Sequence, residues 1–372
     1  MRVVLISKAY VVGAYRTKLE AIAAHEEIEL FAIVPPSWQG LRLERAYTRG
    51  YQLLVLPLVF DGHFHLHFYP SLAAALRHLR PDVCHIEEEP YNLATYLAVR
   101  AAKKVGSKVL FFTWQNLLRR YPPPFRQMER YVYARVDAAI AGNQEAAQVL
   151  RAKGYKGKLQ VLPQFGVDPQ VFSPQAKGTK EGTFTVGYAG RLVEEKGLWI
   201  LARALRGLEG DWQLLICGEG PLQEKLENYF SNQGLRPRVH FLGHLSSAEM
   251  PAFLNRLDVL VLPSLTRPNW KEQFGRVLIE AMACEVPVVG SSSGEIPHVI
   301  GDAGIVFPEG NVQALKDALE ALRRDAPRRR ALGAKGRQRV LAHYTQERIA
   351  AETVALYCDL LKEHDTAAKG GQ

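Results

Sequence analysis

Segments with strand-like and helical patterns alternate along almost the whole chain, and they do so in two series. Short apolar runs typical of buried strands are each followed by a stretch in which apolar residues recur at helical spacing. Such alternation with short loops is typical of a parallel, doubly wound sheet, which binds ligands beyond the carboxyl ends of its strands. Because 372 residues suffice for two domains of ordinary size, we predict two such α/β domains with a cleft between them.

The two series define the predicted elements. In the first series, strands are predicted at 3–6, 28–34, 53–58, 83–86, 109–113 and 138–141, and helices at 15–25, 72–80, 91–105, 125–136 and 144–153. A polar segment rich in Lys, Gly and Pro follows at 169–183 and is predicted to be the linker. In the second series, strands are predicted at 184–188, 212–217, 239–242, 259–262, 288–290 and 305–307, and helices at 198–208, 222–233, 249–256, 312–323, 328–343 and 346–362.

Composition excludes some classes of protein. No apolar run approaches the roughly 20 residues that a membrane-spanning helix needs, and the opening segment is too short for a signal peptide, so we expect a cytoplasmic protein. The four cysteines are scattered in apolar contexts, which is typical of reduced core thiols. The formal net charge of +9 suits phosphorylated ligands, nucleic acid or an anionic membrane surface. Without a helix-turn-helix, zinc or RNP-like motif, nucleic acid is the weakest of these partners.

The segment 271–281 carries two glutamates eight positions apart, Glu272 in a polar loop and Glu280 in a helical pattern that opens after Gly275. With helical rise throughout, their carboxylates would lie about 12 Å apart, the scale of an extended nucleotide-sugar diphosphate. Backbone N–H groups at the helix start would stabilise an anion between them. The alternative interpretation is a surface loop with one buried, paired glutamate.

Two cations follow the first strand of the second series. Gly190 permits close backbone approach at the strand end, and Arg191 and Lys196 come just before a helix start. A guanidinium forks across phosphate oxygens, and an ammonium acts as a point charge. The alternative is a solvated loop in which these cations pair with Glu194 and Glu195.

Taken in order, these motifs resemble the donor-binding domain of family-4 retaining glycosyltransferases with the GT-B fold, the glycosyltransferases group 1. The resemblance covers residues 184–310, and the first half resembles the family more loosely in its βα order. The motifs that carry it are Gly187-Tyr188-Ala189-Gly190-Arg191 with Lys196-Gly197, Gly218-Glu219-Gly220-Pro221, Phe241-Leu242-Gly243, Pro263-Ser264, the segment 272–281 and Gly294-Glu295-Ile296-Pro297. The resemblance implies two Rossmann-like domains, an acceptor-binding domain at 1–170 and a donor-binding domain at 180–344. A last helix at about 345–363 would cross back to the first domain.

The resemblance also implies a role for each matched residue. Arg191 and Lys196 would neutralise the leaving nucleotide diphosphate, Glu272 would hold sugar hydroxyls and Glu280 the ribose. The other donor-binding residues that it implies are Gly190, Gly218, Glu219, Leu242, Phe274, Gly275 and Arg276. Fixed cations at the leaving group lower the barrier, so neither a metal nor another cofactor is expected.

One position departs from the family pattern. Many relatives carry a His facing the sugar after the strand at 109–113, and this chain has Trp114 there. Trp cannot act as a base, although it can stack on a sugar or donate one hydrogen bond. Gln115 and Asn116 are expected as substitute polar contacts. The other residues expected near the donor phosphates or the acceptor are those of the first strand–helix loop, Gly13, Tyr15 and Arg16.

Three further segments of the first half have more than one interpretation. The His-rich run at 61–67 would share one face as a strand, but lacking a further ligand it favours a structural or acceptor-side role over a metal site. The acidic run at 87–89 either caps the next helix or binds the acceptor. The basic and aromatic stretch at 117–126 is either a solvated face or a contact with a lipid carrier or the inner face of a membrane.

The sequence therefore predicts an enzyme that moves a sugar, with retention and without a metal, from a nucleotide diphosphate to an unidentified acceptor. The acceptor classes considered are a glycan, a lipid carrier and a small molecule. One alternative is a non-hydrolysing nucleotide-sugar epimerase, and another is a nucleotide-sugar binding protein without catalysis, which Trp114 would favour. A dinucleotide-binding oxidoreductase is disfavoured because no Gly-x-Gly-x-x-Gly motif opens either domain.

Overall fold

The computed structural model describes residues 1–175 and 182–369. The chain forms two units: one comprises Met1–Gly166 with the chain from Gln346 onward, and the other is Val167–Thr345. The sequence-based division places these boundaries at residues 170, 180 and 344. Residues 176–181 of the predicted linker lie outside the described residues.

A parallel sheet forms the centre of the first unit. The strands of this unit are β1 (Arg2–Ile6), β2 (Glu29–Val34), β3 (Ser37–Trp38), β4 (Leu41–Arg42), β5 (Gln52–Val55), β6 (Val83–Ile86), β7 (Lys108–Thr113), β8 (Ala138–Ala141) and β9 (Lys158–Val161). Seven of them pair in parallel in the order β5-β2-β1-β6-β7-β8-β9, while β3 and β4 form a separate antiparallel ribbon. The central strands are almost wholly apolar, as strands covered on both faces must be.

All six strands predicted for this unit are present, with ends shifted by at most three residues. The largest shift is at β5, which ends at Val55 instead of residue 58 because Pro57 lacks the N–H that a ladder requires. The sequence does not predict β9. This strand is short and half-buried at the sheet edge, so it lacks the continuous apolar run of a central strand.

Helices connect the strands in both units. The α-helices are α1 (Thr17–Ala23), α2 (Leu72–Leu79), α3 (Leu93–Lys104), α4 (Phe125–Arg135), α5 (Gln144–Ala152), α6 (Leu198–Arg206), α7 (Gln223–Asn232), α8 (Met250–Leu254), α9 (Arg276–Ala283), α10 (Ile296–Ile300), α11 (Val312–Arg324), α12 (Ala326–His343) and α13 (Gln346–Lys369). The sequence does not predict the five-residue α10, and it ends α13 too early, at residue 362. No helix of the described residues is both long and apolar enough to cross a membrane.

The first sheet is covered on both faces by apolar side chains. Alternate residues of β1 enter different clusters, Val4 and Ile6 one and Val3 and Leu5 the other, as side chains that alternate across a strand must. The second cluster includes Leu19 and Ile22 of α1 with Ile349, Val354 and Tyr357 of α13. The final helix is therefore part of the first unit, where the resemblance places it.

The second unit is built on a six-stranded parallel sheet. Its strands are β10 (Phe184–Ala189), β11 (Trp212–Cys217), β12 (Val239–Phe241), β13 (Val259–Leu262), β14 (Val288–Ser291) and β15 (Ile305–Phe307). They pair in the order β12-β11-β10-β13-β14-β15. The chain runs outward from β10 on one side through β11 and later resumes on its other side at β13. The carboxyl end of β10 is thus a topological switch point, the place where open α/β sheets bind ligands.

Candidate functional site

An ion pair joins two motifs of the second unit that lie far apart in the sequence. Lys196 ends a short 3-10 turn after β10, and Glu272 lies in the loop between β13 and α9. The Lys196 Nζ is 2.7 Å from Glu272 Oε2, which also accepts a hydrogen bond from Ser264 Oγ at 2.8 Å. Glu272 and Ser264 are both buried. The structure thus brings together residues that are 76 positions apart in the sequence.

Hydrogen bonds between neighbouring strand ends hold Glu272 in place. Ser291 Oγ, at the end of β14, donates to the carbonyl oxygen of Ser264 at 2.5 Å. The backbone N–H of Glu295 donates to the carbonyl oxygen of Glu272 at 3.1 Å. Gly294 has φ +54°, and a Cβ there would come within 2.1 Å of that same carbonyl oxygen. Only glycine lets the loop after β14 approach the loop that carries Glu272 so closely.

Arg191 and Lys196 have different surroundings. The Arg191 side chain is 68% exposed, and its Nη2 is 3.5 Å from Glu195 Oε1. Its backbone carbonyl accepts a hydrogen bond from Tyr188 at 2.8 Å, which fixes the loop at the end of β10. The local pairing considered from the sequence therefore describes Arg191 and Glu195, whereas Lys196 pairs with the remote Glu272.

The second glutamate of the segment, Glu280, lies in the second turn of α9, which begins just after Gly275. Arg276 Nε lies 2.9 Å from Glu280 Oε1. Burial raises the pKa of Glu280 above its ordinary value, although the Arg276 guanidinium acts in the opposite direction. Phe274 is buried, and its ring packs edge-on against Tyr344 at 5.8 Å.

The ends of β10 and β11 meet in a glycine contact. Gly190 donates its N–H across to the end of β11 at 3.0 Å. Gly218 has φ +128°, and a Cβ there would lie 2.1 Å from the carbonyl oxygen of Gly190. Beyond this contact Glu219 is exposed, and Leu242 is half-buried with its N–H bonded back to β11. All the residues predicted for donor binding thus lie in loops at the carboxyl ends of neighbouring strands or on the helix that follows.

The first strand–helix loop of the first unit is placed differently from the prediction. Arg16 is fully buried, and its guanidinium donates to the backbone carbonyls of Tyr10, Glu44 and Ala46. It therefore fixes the loop and does not face a ligand, which corrects the expected role. The N–H of Gly13 donates to the Glu44 carboxylate at 2.6 Å. Chain that lies 30 residues from Arg16 in the sequence therefore folds over this loop, and the expected role of Gly13 stays a prediction.

Tyr15 is also engaged within the first unit. Its ring stacks on Phe165, with centroids 4.4 Å apart and planes 19° from parallel. It remains half-buried, so part of its surface is accessible.

The segment after β7 is held by hydrogen bonds. Trp114 donates its indole N–H to Gln164 at 2.9 Å, and the ring lies against Gly142, where a Cβ would clash with it. Gln115 and Asn116 are buried. Gln115 donates to the Tyr121 hydroxyl at 2.9 Å, and Asn116 donates to Glu145 at 3.2 Å. These hydrogen bonds hold both amides within the loop, and their role as substitute polar contacts stays a prediction.

Two of the three acidic residues at the end of β6 form buried ion pairs. Lys18 Nζ lies 2.5 Å from Glu87 Oε1, and Lys8 pairs with Glu88. Burial alone would raise the pKa of Glu88, but its pairing with Lys8 and a contact with His67 lower it to about 2. Since these carboxylates contact lysines and not the start of α3, the capping interpretation is wrong. Lys8 and Lys18 follow β1, and β1 lies next to β6 in the sheet. The order of the strands was therefore the one signal in the sequence that could have predicted these ion pairs.

Glu89 lies in the same acidic run and is half-buried. Its carboxylate accepts hydrogen bonds from Thr113 Oγ1 at 2.5 Å and from the backbone N–H of Trp114 at 2.9 Å. Burial raises the pKa of Glu89 to about 7, even though both hydrogen bonds act to lower it. Glu89 therefore links the ends of β6 and β7 and titrates near neutral pH.

The His-rich run forms turns and not a strand, so its histidines do not share a face. His67 is buried and contacts the backbone carbonyl of Phe64 at 2.9 Å, while His65 packs among the rings of Tyr91, Tyr121 and Phe125. In the part of the chain that the structure describes, no group of three or more His, Cys, Asp or Glu is arranged to hold a metal ion. His65 and His67 are thus packed within the first unit, and the choice between a structural and an acceptor-side role for the run stays open.

The chain thus has two parallel α/β units, and charged residues lie at the switch point of the second sheet. This architecture is the GT-B fold of a class of two-domain sugar-transferring enzymes. The profile of the family described as Glycosyl transferases group 1 matches residues 170–339, and that of Glycosyltransferase Family 4 matches residues 23–171. The chain belongs to this family and is a glycosyltransferase.

Two curated relatives span nearly the whole chain. A GDP-mannose-dependent alpha-(1-6)-phosphatidylinositol monomannoside mannosyltransferase of Mycobacterium tuberculosis strain CDC 1551 is 32% identical, over 95% of this chain and 94% of that protein. Its namesake from Mycolicibacterium smegmatis is 34% identical, over 87% of this chain and 88% of that protein. The structure of sucrose-phosphate synthase from Thermosynechococcus elongatus superposes with a TM-score of 0.75 at 20% identity, over 98% of this chain and all of that one. This likeness supports the fold.

Proposed function

We propose that the enzyme transfers a hexose, with retention, from a nucleoside diphosphate sugar that binds at the carboxyl edge of the second sheet. The observation that carries the proposal is the Lys196–Glu272 ion pair beside Arg191 at the switch point. Lys196 can bind a diphosphate, and Glu272 beside it can bind sugar hydroxyls. The two groups are adjacent, as the diphosphate and the sugar are adjacent in a nucleotide sugar.

The cations supply the electrostatic part of the proposal. Cleaving a glycosyl–phosphate bond builds negative charge on the leaving diphosphate, and fixed cations stabilise that charge without reorganising. Arg191 is exposed and can fork across phosphate oxygens, while the Lys196 ammonium is held at one point. We therefore propose that these two residues neutralise the leaving group in place of a metal.

The two carboxylates supply the recognition of hydroxyl groups. Ionised carboxylates accept hydrogen bonds, so Glu272 can hold sugar hydroxyls and Glu280 the ribose. Gly190, Gly218, Glu219 and Leu242 would border the nucleoside, and the start of α9 would meet the diphosphate through backbone N–H groups.

For retention we propose a front-face mechanism in which the leaving phosphate oxygen takes the acceptor proton as the new glycosidic bond forms on the same face. The three acidic residues after β6 support this over a covalent route, because Glu87, Glu88 and Glu89 are each held by partners within the first unit. NMR of the product tests retention: the donor's anomeric configuration should be kept, and an inverted product would contradict the mechanism.

The nucleotide and the sugar are proposed from the relatives. Because both mannosyltransferases described above are named GDP-mannose-dependent, GDP-mannose is the first donor to test, against UDP- and ADP-sugars. Their names also make a phosphatidylinositol mannoside the first acceptor to test. A thermal-shift panel followed by product analysis with the best donor would identify both. Stabilisation by every nucleotide sugar without a transfer product would favour a binding protein instead.

Substitutions test the phosphate assignment. Arg191→Ala and Lys196→Ala should each lower kcat by about 100-fold or more, the scale seen when one stabilising donor is removed from a charged transition state. Lys335→Ala is the matched control, because Lys335 is an exposed lysine of the same unit that pairs with Asp302. Wild-type turnover in both site variants would refute the assignment. A chelator should leave transfer unchanged, and loss of activity restored by a divalent ion would refute metal independence.

Glu272→Ala separates the two ends of the donor. It should weaken binding of the nucleotide sugar more than binding of the bare nucleoside diphosphate, because only the nucleotide sugar carries the hydroxyl groups of the transferred hexose. Equal weakening of both ligands would show that Glu272 acts elsewhere. Isothermal titration with each ligand makes this comparison independent of turnover.

We also propose a cytoplasmic enzyme that contacts the inner membrane face through an apolar–basic patch, formed by Phe60, Phe64, Leu66, Leu118, Arg119 and Arg120. The four apolar side chains are exposed, Leu118 by 64%, and both arginines are exposed beside it. His65 joins the two segments, since its ring packs on Tyr121 and Phe125. Basic and apolar side chains together suit an anionic bilayer surface. The free cysteines fit a reducing compartment.

Co-sedimentation tests the patch. Binding to phosphatidylglycerol vesicles should exceed binding to phosphatidylcholine vesicles and weaken as salt is added. Arg119→Glu with Arg120→Glu should abolish the preference, and Leu118→Ser should weaken binding at every salt concentration. Leu341→Ser, at an exposed apolar residue of the second unit, is the control. Equal binding by all variants would refute the patch.

A further inference from the structure

The loop between β13 and α9 carries a tryptophan that no motif explains. Trp270 is half-buried, and its ring centroid is 5.0 Å from the Lys196 Nζ. The same ammonium lies 2.7 Å from Glu272, and the Lys196 side chain is only 16% exposed. The cation therefore contacts a carboxylate and an aromatic face at once.

The loop is built to hold this ring in place. Arg267 and Trp270 exchange two backbone hydrogen bonds, at 2.7 and 3.2 Å, which close a tight turn. Before the turn, the N–H of Leu265 donates to the carbonyl oxygen of Glu195 at 2.8 Å, so the loop is tied to the segment that carries Lys196. The Thr266 N–H donates to Glu309 at 2.9 Å. The loop is thus held before Trp270 by these bonds and after it by the contacts of Glu272, so the position of the indole is restricted from both directions along the chain.

We infer that Trp270 is a positioning residue of the donor site, whose indole face holds the Lys196 ammonium where a bound diphosphate needs it. This inference rests on the proposed function of Lys196. A lysine has a flexible four-carbon side chain, so its charge acts as a preorganised group only if its surroundings restrict it. The π face of Trp attracts an ammonium that lies over it. Glu272 alone would draw the ammonium away from the phosphates, and the ring restrains it from another direction.

The contact could instead be a sugar-stacking wall or a packing contact without effect on Lys196. These alternatives differ in what they change. A positioning residue acts only through Lys196 and therefore affects the diphosphate. A stacking wall affects the sugar, and a packing contact affects stability alone.

The test is a double-mutant cycle on Trp270→Leu and Lys196→Met, read by isothermal titration with GDP and UDP and by kcat and KM with the best donor. Trp270→Leu should weaken binding of the better nucleoside diphosphate and lower kcat, each by about tenfold, which is about 1.4 kcal/mol. In the Lys196→Met background it should change neither quantity by more than about twofold, because its target is gone. Trp270→Phe, which keeps an aromatic face, should restore both to within about threefold of wild type.

Controls separate the outcomes. Trp199→Leu, at another half-buried tryptophan of the same unit that packs on Tyr229, should leave diphosphate binding unchanged. Thermal unfolding of each variant reports whether the unit stays folded. If Trp270→Leu does not fold, Trp270→Phe still tests the inference. Loss of nucleotide-sugar binding with diphosphate binding intact would overturn the inference in favour of stacking. Equal effects of Trp270→Leu in both backgrounds would overturn it in favour of packing.

The inference and the proposed function fail in different ways. If Lys196→Met and Arg191→Ala weaken diphosphate binding and Trp270→Leu does not, only the inference fails. If the Lys196 and Arg191 variants bind diphosphate like wild type, or wild type binds neither diphosphate, both are overturned.

Discussion

Replacing Lys18 by Met should destabilise the first unit strongly, because it removes one partner of a buried ion pair. Lys18 and Glu87 are 1% and 0% exposed, and their charged atoms are 2.5 Å apart. Burial alone would raise the pKa of Glu87, and the Lys18 ammonium, supported by a hydrogen bond from Gln164 at 2.9 Å, holds it below its ordinary value. Without Lys18 the carboxylate stays buried and keeps the hydrogen bond from Gln164, but it loses its paired cation.

The magnitude follows from the burial of both groups. Breaking a buried pair by removing one partner costs about 3–5 kcal/mol, because an uncompensated charge remains. For a unit of this size each kcal/mol moves the melting temperature by about 2–4 °C, so a fall of about 6–20 °C is expected. The double substitution Lys18→Met with Glu87→Leu should recover much of this loss, since replacing both charges by apolar groups is often close to neutral.

Urea unfolding followed by circular dichroism measures the difference. Glu29→Gln is the matched control in the same unit, because Glu29 pairs with Arg2 at 2.9 Å with side chains 51% and 40% exposed. Exposed pairs contribute about 0–1 kcal/mol. The penalty of Lys18→Met should shrink as pH falls through the folded-state pKa of Glu87, because the carboxyl then becomes neutral. A neutral-pH loss no larger than that of the control would refute the buried-pair account.

Three further predictions follow from single contacts. Ser264→Ala should lower kcat/KM for the best donor by about tenfold in steady-state assays, because Glu272 loses a buried hydroxyl donor; an unchanged value would make Ser264 dispensable. Glu88, with its pKa lowered to about 2, contributes stability that is complete at neutral pH and is lost as pH falls from 4.5 toward 2; Glu88→Gln should flatten acid denaturation curves there. Glu89 has a raised pKa, so its ionisation destabilises the fold as pH rises from 4.5 to about 7; Glu89→Gln should remove this slope in pH-dependent melting, and a persisting slope would assign it to another group.

The elements that sequence reasoning located best are those buried on both faces. Every residue of β6 and β13 is buried, and the predicted ranges match both strands. Such runs are continuous because helices cover both sides of a parallel sheet. Where burial is partial, the signal weakens, as in β9, whose four residues are all half-buried. Edge strands are therefore the part of this fold that pattern alone locates least well.

The candidate site could be predicted as a set of loops but not as a set of contacts. Parallel strands with short connections place their following loops on one edge, so Arg191, Lys196 and Glu272 could be assigned to one region. Which carboxylate Lys196 meets could not be predicted, because the local Glu194 and Glu195 compete with a residue 76 positions away.

Arg16 shows the same limit in the first unit. Its neighbours in sequence suggest an exposed basic loop, but the carbonyls that bury its guanidinium belong partly to residues 44 and 46. Whether a cation in a loop faces a ligand or the protein depends on which distant segment of the chain packs over that loop. No local pattern contains that information.

The cations at the carboxyl edges of the two sheets differ in how accessible they are to a ligand. In the first unit, the charges of Lys8 and Lys18 are each neutralised by a buried glutamate. These pairs stabilise the edge and produce only a weak electrostatic potential for a ligand. In the second unit, Arg191 remains exposed, and Lys196 pairs with the carboxylate that is proposed to bind the sugar. A diphosphate alone would have to compete with Glu272 for the ammonium, whereas an intact nucleotide sugar gives Glu272 hydroxyl donors in exchange. On the proposed assignment, the pair would favour the complete donor over its fragments and would weaken binding of the nucleoside diphosphate once the sugar has been transferred.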